Sequence, residues 1–193
     1  MFIQTDTIGK YYKINNSDNY IMCLSDYGYE FGDKIIIEIT SNGDLVKSER
    51  FSVGVNTCCW YNEYEGFSKY GDFFGIKVCG TGSGHCSSRL YLFKEVTPQD
   101  SINDDIPLNC WSNSDSGDDS TPYDSYTSSM EIKKDELVIL YVLESGTYTR
   151  NEKTKKLDFK IDSSEKFAIR YFYKNGKWDT EDKDKLEKLE QCY

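Results

Sequence analysis

The sequence predicts a mainly β fold, an antiparallel β-sandwich or partly open barrel with a short C-terminal helix. Three observations predict it. Apolar and polar residues alternate along most of the first half, as strands with one buried face require. Turn pairs such as Asn42-Gly43 and Asn175-Gly176 punctuate the alternating runs. A helical apolar stripe occurs only near the end, at Leu186 and Leu189. The 193 residues suit one domain over 1–193, and 16 Tyr with 10 Phe supply apolar surface for its core.

Residues 10–14 and 20–24 read as strands around the polar turn Asn15, Asn16, Ser17 and Asp18. Residues 34–40 form a β-branched run containing Ile35, Ile36, Ile37 and Ile39. Asn42-Gly43 then predicts a type I′ turn, in which both central residues take positive φ, leading into a strand over 45–55. Residues 56–72 hold Trp60, Tyr61, Tyr64, Phe67 and Tyr70 without a clean period and read as an aromatic-rich loop. Residues 73–79 and 86–96 are two further strands around the run from Gly80 to His85.

The segment 97–129 contains seven Asp and no Lys or Arg, which predicts a long acidic loop or an inserted lobe. Residues 136–143 are continuously apolar and read as a strand buried on both faces, with Ser145-Gly146 turning it into a hairpin. Leu157, Phe159 and Ile161 alternate with Asp158 and Lys160, a strand over 167–173 follows, and Asn175-Gly176 turns it towards Lys177 and Trp178. The helix starts after a cap at Asp179 or Thr180 and runs to Gln191.

A formal net charge of -10 opposes binding to nucleic-acid phosphates or an anionic membrane and favours a basic protein partner. The first residues lack a basic stretch leading into an apolar run, and no segment has the length to cross a bilayer, so a soluble chain is expected. Seven cysteines without a repeated C-x-x-C spacing predict free thiols in the cytoplasm. A bond between Cys79 and Cys86 across the glycine-rich hairpin would instead indicate an extracellular or periplasmic protein.

The run Ile76-Lys77-Val78-Cys79-Gly80-Thr81-Gly82-Ser83-Gly84 resembles, over nine residues, the first glycine motif of Rossmann-like methyltransferases that use S-adenosylmethionine. It lacks that family's acidic residue before the glycines, where Val78 and Cys79 stand, and hairpin signals surround it where helices would be needed. His85 is the sole histidine, so a thiol or hydroxyl nucleophile, for instance Cys58 or Cys110, would depend on it as base. Cys58, Cys59, Cys79, Cys86 and His85 offer soft donors at spacings that match no zinc module. The acidic run offers oxygen donors, yet Gly117 stands where a calcium loop needs a ligand.

These features favour a non-enzymatic protein-binding module that covers a basic partner, as an immunity protein or inhibitor does. Trp60, Tyr61 and Tyr64 are the expected contact residues, and Asp115, Asp118 and Asp119 the expected source of electrostatic steering. The alternatives are a carbohydrate-binding sandwich that stacks sugars on the same rings, and a small enzyme built on the glycine-rich loop or His85. No cofactor or metal is called for.

Overall fold

Backbone pairing in the computed structural model sorts the chain into two antiparallel sheets, with residues 10–25, 34–51, 67–82, 84–98, 101–102, 106–114 and 120–192 described. The first sheet contains β1 (Tyr11–Lys13), β2 (Tyr20–Ser25), β3 (Lys34–Ile39) and β4 (Leu45–Phe51) in sequence order. The second contains β5 (Phe67–Tyr70), β6 (Phe73–Gly82), β7 (His85–Phe93), β8 (Ile106–Asn113), β9 (Thr121–Lys133), β10 (Glu136–Arg150), β11 (Leu157–Lys174) and β12 (Lys177–Thr180). Each strand pairs with its neighbour in sequence, and neither sheet closes on itself among the described residues. The expected mainly β, sandwich-like architecture with one short C-terminal helix is what the chain adopts, the helix being α1 (Lys183–Leu189).

Alternation decides which side chains meet. Ile21, Ile36 and Phe51 of the first sheet pack against Phe67, Phe74, Ile76 and Phe93 of the second, joining the two sheets through one buried cluster. Tyr12 approaches the Phe67 ring at 5.5 Å and Phe51 approaches Phe93 at 5.7 Å, separations at which tilted aromatic pairs attract beyond their area burial.

A second cluster lies within the curl of the larger sheet and contains Leu90, Leu92, Ile106, Leu108, Tyr126, Leu137, Ile139 and Ile169. Its ends approach one another: the Phe73 ring on β6 sits 4.8 Å from Tyr173 and 4.7 Å from Trp178. Lys94 Nζ lies over both Phe73 and Tyr173 and pairs with Asp135 at 2.8 Å, fastening the end of β7 to the turn between β9 and β10. Leu186 and Leu189 of α1 cover the same cluster, which Cys110 and Cys192 bridge by a disulfide.

Several expectations change. The segment 97–129, read as an acidic loop or insertion, contains β8 and much of β9. Inward Ile106, Leu108 and Cys110 give β8 a period of two, and the acids fall mainly in its connections. Within the loop expected over 56–72, Phe67–Tyr70 forms β5 and pairs with β6. β10 is buried on one face only: Leu137, Ile139 and Tyr141 are buried whereas Leu140 is exposed.

Ser145-Gly146 is not a turn. It marks a bulge in a continuous β10, where a Cβ on Gly146 would lie 2.2 Å from the Lys160 carbonyl oxygen. The hairpin turns at 151–156 instead. Asn175 (φ 54°) and Gly176 (φ 83°) both take positive φ, as a type I′ turn requires. At Asn42-Gly43 the hairpin forms with positive φ at Gly43 only, closed by Gly43 N–H donating to Thr40 C=O and by Thr40 N–H donating to Asp44 C=O.

The cysteines also depart from expectation. Cys110 and Cys192 are bonded across 82 residues of sequence, and Cys79 and Cys86 are each in a disulfide. In the β6–β7 register Cys79 stands opposite Ser88, and Cys86 opposite Thr81, so these two do not face each other directly. Cys23 is a free thiol, pushed up to about 11 by burial despite the nearby Lys34 ammonium.

Candidate functional site

Trp60, Tyr61 and Tyr64 lie outside the described residues, as do Asp115, Asp118 and Asp119 and the cysteines Cys58 and Cys59. The strand ends joined by the acidic run are described. Asn113 closes β8 and pairs with Tyr123 on β9, and Ser114 N–H donates to the Pro122 carbonyl.

An aromatic and aliphatic patch covers the outward face of the larger sheet beside these strand ends. Cross-strand pairing puts Tyr148 of β10 opposite Thr121 of β9 on one side and Phe159 of β11 on the other. Directly opposed residues share a face, so Tyr123, Tyr148 and Phe159 project together. Tyr123 meets Phe159 edge to face at 5.4 Å, Tyr148 lies 5.7 Å from Phe159, and Trp111 lies 6.2 Å from Tyr148.

Tyr123 is the buried base of this group, and Trp111 and Tyr148 are half-buried. Phe159 is 53% exposed, Leu157 44% and Ile161 52%, so the alternation on β11 is a stripe open to solvent rather than a core face. Gly146 opposite Ile161 keeps β10 close to the Lys160 backbone at the bulge. A polar contact fixes the rim, where Asn113 Nδ2 donates to Tyr148 Oη at 2.6 Å, and on the opposite face Ser145 Oγ donates to Asp124 at 2.5 Å. Burial raises the Tyr123 phenol above its ordinary range, with the Glu144 and Asp162 carboxylates adding to the effect. The ring therefore stays neutral as a contact surface at physiological pH.

A recess of about 300 Å³ opens beside the patch and is lined by His85, Ser112, Asn113, Tyr123 and Asp124. A larger cleft of about 1080 Å³ lies between β12 and α1, with Arg89, Tyr171, Lys177, Trp178 and Leu189 among its walls. In the smaller recess His85 stands opposite Ser112 across the β7–β8 pairing. Cys110, a thiol candidate for His85, is bonded to Cys192. The glycine-rich run is the antiparallel turn between β6 and β7, with Gly82 opposite His85 and no helix following it. Cys79 and Cys86, as disulfide sulfurs, are not thiolate donors for a metal, and the described residues contain no group of three or more His, Cys, Asp or Glu placed to hold an ion.

The sequence reading missed Trp111, Tyr123, Tyr148 and Phe159 as a group because they come from four different strands. Only the strand register unites them, although the strict alternation of Leu157, Phe159 and Ile161 with charged residues was visible. Comparison with protein-family models, curated proteins and solved structures finds no match for this chain.

Proposed function

We propose that the chain is a non-enzymatic protein-binding module that covers a basic partner through the outward patch on β8 to β11. The observation that carries this reading is the solvent-open stripe Leu157, Phe159 and Ile161, set on Tyr148 and Tyr123 beside the roots of the acidic run. Large rigid rings bury area at low entropy cost, and a nearby block of negative charge speeds the approach of a positive surface.

All 23 Lys and Arg fall within the described residues, so the excess negative charge is carried by the remaining segments, the acidic run among them. An immunity protein or inhibitor uses this combination of charge for approach and apolar contact for residence. The disulfides further support an oxidising compartment, in place of the cytoplasmic location expected from free thiols.

The test is surface plasmon resonance against a basic protein cross-linked to the chain in its native source. Phe159→Ala should mainly speed dissociation, and Asp115→Asn, Asp118→Asn and Asp119→Asn together should slow association and flatten its salt dependence. Unchanged kinetics in both variants would remove the proposed surface. Carbohydrate is the second reading, favoured by the Trp111 and Tyr148 rings 6.2 Å apart on the outward face, with Asn113 against Tyr148 as a hydroxyl partner. Binding on a glycan array that is lost with Trp111→Ala would select it.

A further inference from the structure

The β10–β11 hairpin presents an edge that the rest of the described fold leaves uncovered. β12 pairs only with Tyr171–Lys174. Just before this, the C-terminal segment occupies the edge: Arg170 N–H donates to Asp182, Lys185 Nζ donates to the Ala168 carbonyl, and Lys188 pairs with Glu165. From Leu157 to Ser164, no strand lies beside β11 on the side away from β10 among the described residues, and every residue there is exposed. A strand edge in that state is a template for another strand.

The sequence of this edge is self-complementary when read in opposite directions about Phe159. Lys156-Leu157-Asp158-Phe159-Lys160-Ile161-Asp162 places a charge at every even number and an apolar side chain at every odd one. In an antiparallel pairing centred on Phe159, Asp158 of one copy stands opposite Lys160 of the other, and Lys156 opposite Asp162. On the other face Leu157 meets Ile161, and Phe159 meets its own copy. Lys160 pairs with Asp162 along its own strand at 2.8 Å, a solvent-screened ion pair weak enough to give way to a cross-strand one.

We propose that this edge is a dimerisation surface, on which a second copy of the chain adds its β11 antiparallel to the first and extends the larger sheet across a two-fold axis at Phe159. Backbone groups from 157 to 161 gain partners, opposite charges align on one face, and the two Leu157–Phe159–Ile161 stripes join on the other. The outward faces stay open, so the pairing doubles the patch assigned above to a partner. It rests on the edge and its charge order, and its test involves no other protein.

Sedimentation equilibrium over a concentration series, from micromolar to about millimolar, tests it. The natural chain should show a reversible monomer–dimer equilibrium. Lys156→Asp with Lys160→Asp makes the edge wholly acidic, and Asp158→Lys with Asp162→Lys makes it wholly basic. Each variant alone should dimerise at least about tenfold more weakly, because every cross-strand charge pair becomes repulsive. Mixed in equal amounts, the two variants should form a heterodimer at least as tight as the natural pair. All the substitutions are at exposed side chains, and circular dichroism confirms that the variants fold. A natural chain that stays monomeric to millimolar concentration overturns the proposal, as does a dimer whose strength neither variant changes.

Discussion

Cys23 is chemically separated from the other described cysteines. Its thiol is free and partly buried between the sheets, and burial holds its pKa near 11, so it remains protonated at neutral pH. Iodoacetamide at pH 8 should therefore modify Cys23 slowly in the native protein and rapidly after unfolding in denaturant without reductant. Peptides containing Cys79, Cys86, Cys110 or Cys192 should stay unmodified under both conditions, and rapid native labelling of Cys23 would contradict its placement. Gly146 is fixed by a different cause, the approach of the Lys160 carbonyl. Gly146→Val should break the bulge register and destabilise the chain by about 1–3 kcal/mol in urea unfolding. The pair Ser145-Gly146 shows why sequence alone misplaced this feature: glycine permits a turn and a close backbone contact equally well, and only the position of β11 selects between them.

At the scale of elements, α1 is held less by its own turn than by its seat against β11. Asp182 precedes it without capping it through the side chain, yet accepts from Lys185 and from the Arg170 backbone N–H. The Lys185 hydrogen bond is the larger cause, with the Arg170 amide next, of a carboxyl held below the usual range. A lowered folded-state pKa stabilises the protein fully above the unfolded value of about 3.9 and loses that contribution as pH falls through the folded value. Asp182→Asn should weaken the native state by about 0.5–1.5 kcal/mol at pH 7, and this difference should vanish in urea titrations performed well below pH 4.

Legibility varied with the element. β3, β6 and β12 followed from β-branched residues and an Asn-Gly turn, whereas β8 and β9 were hidden because the Asp count of 97–129 outweighed the shorter alternation of Ile106, Leu108 and Cys110. The patch was less legible than the fold. Its rings lie on strands separated by up to 48 residues, from Trp111 to Phe159, and no local period encodes that distance.

Across the whole molecule, the larger sheet is curled and its curl is tied. Phe73 touches Tyr173 and Trp178 from the far end of the sheet, and Cys192 is bonded to Cys110 in the middle of it. Phe73→Ala should remove both ring contacts and cost about 3–5 kcal/mol in urea unfolding. Replacing Cys110 and Cys192 together by Ser frees a loop of 82 residues in the unfolded chain and should lower stability by about 2–5 kcal/mol, read as a fall in Tm with the β signal in circular dichroism retained below it.

That long tie also imposes an order on biosynthesis. Strands that pair with their sequence neighbours can join the sheet as each leaves the ribosome, because no earlier strand waits for a distant one. Cys110 is the exception: its sulfur is made 82 residues before its mate. Throughout that interval it is an available thiol beside cysteines that precede it in the chain, and thiolate exchange with them competes with holding it unpaired. Oxidation before Cys192 emerges therefore favours a non-native pairing, and a disulfide isomerase should raise the yield of correctly bonded protein more than an oxidant alone.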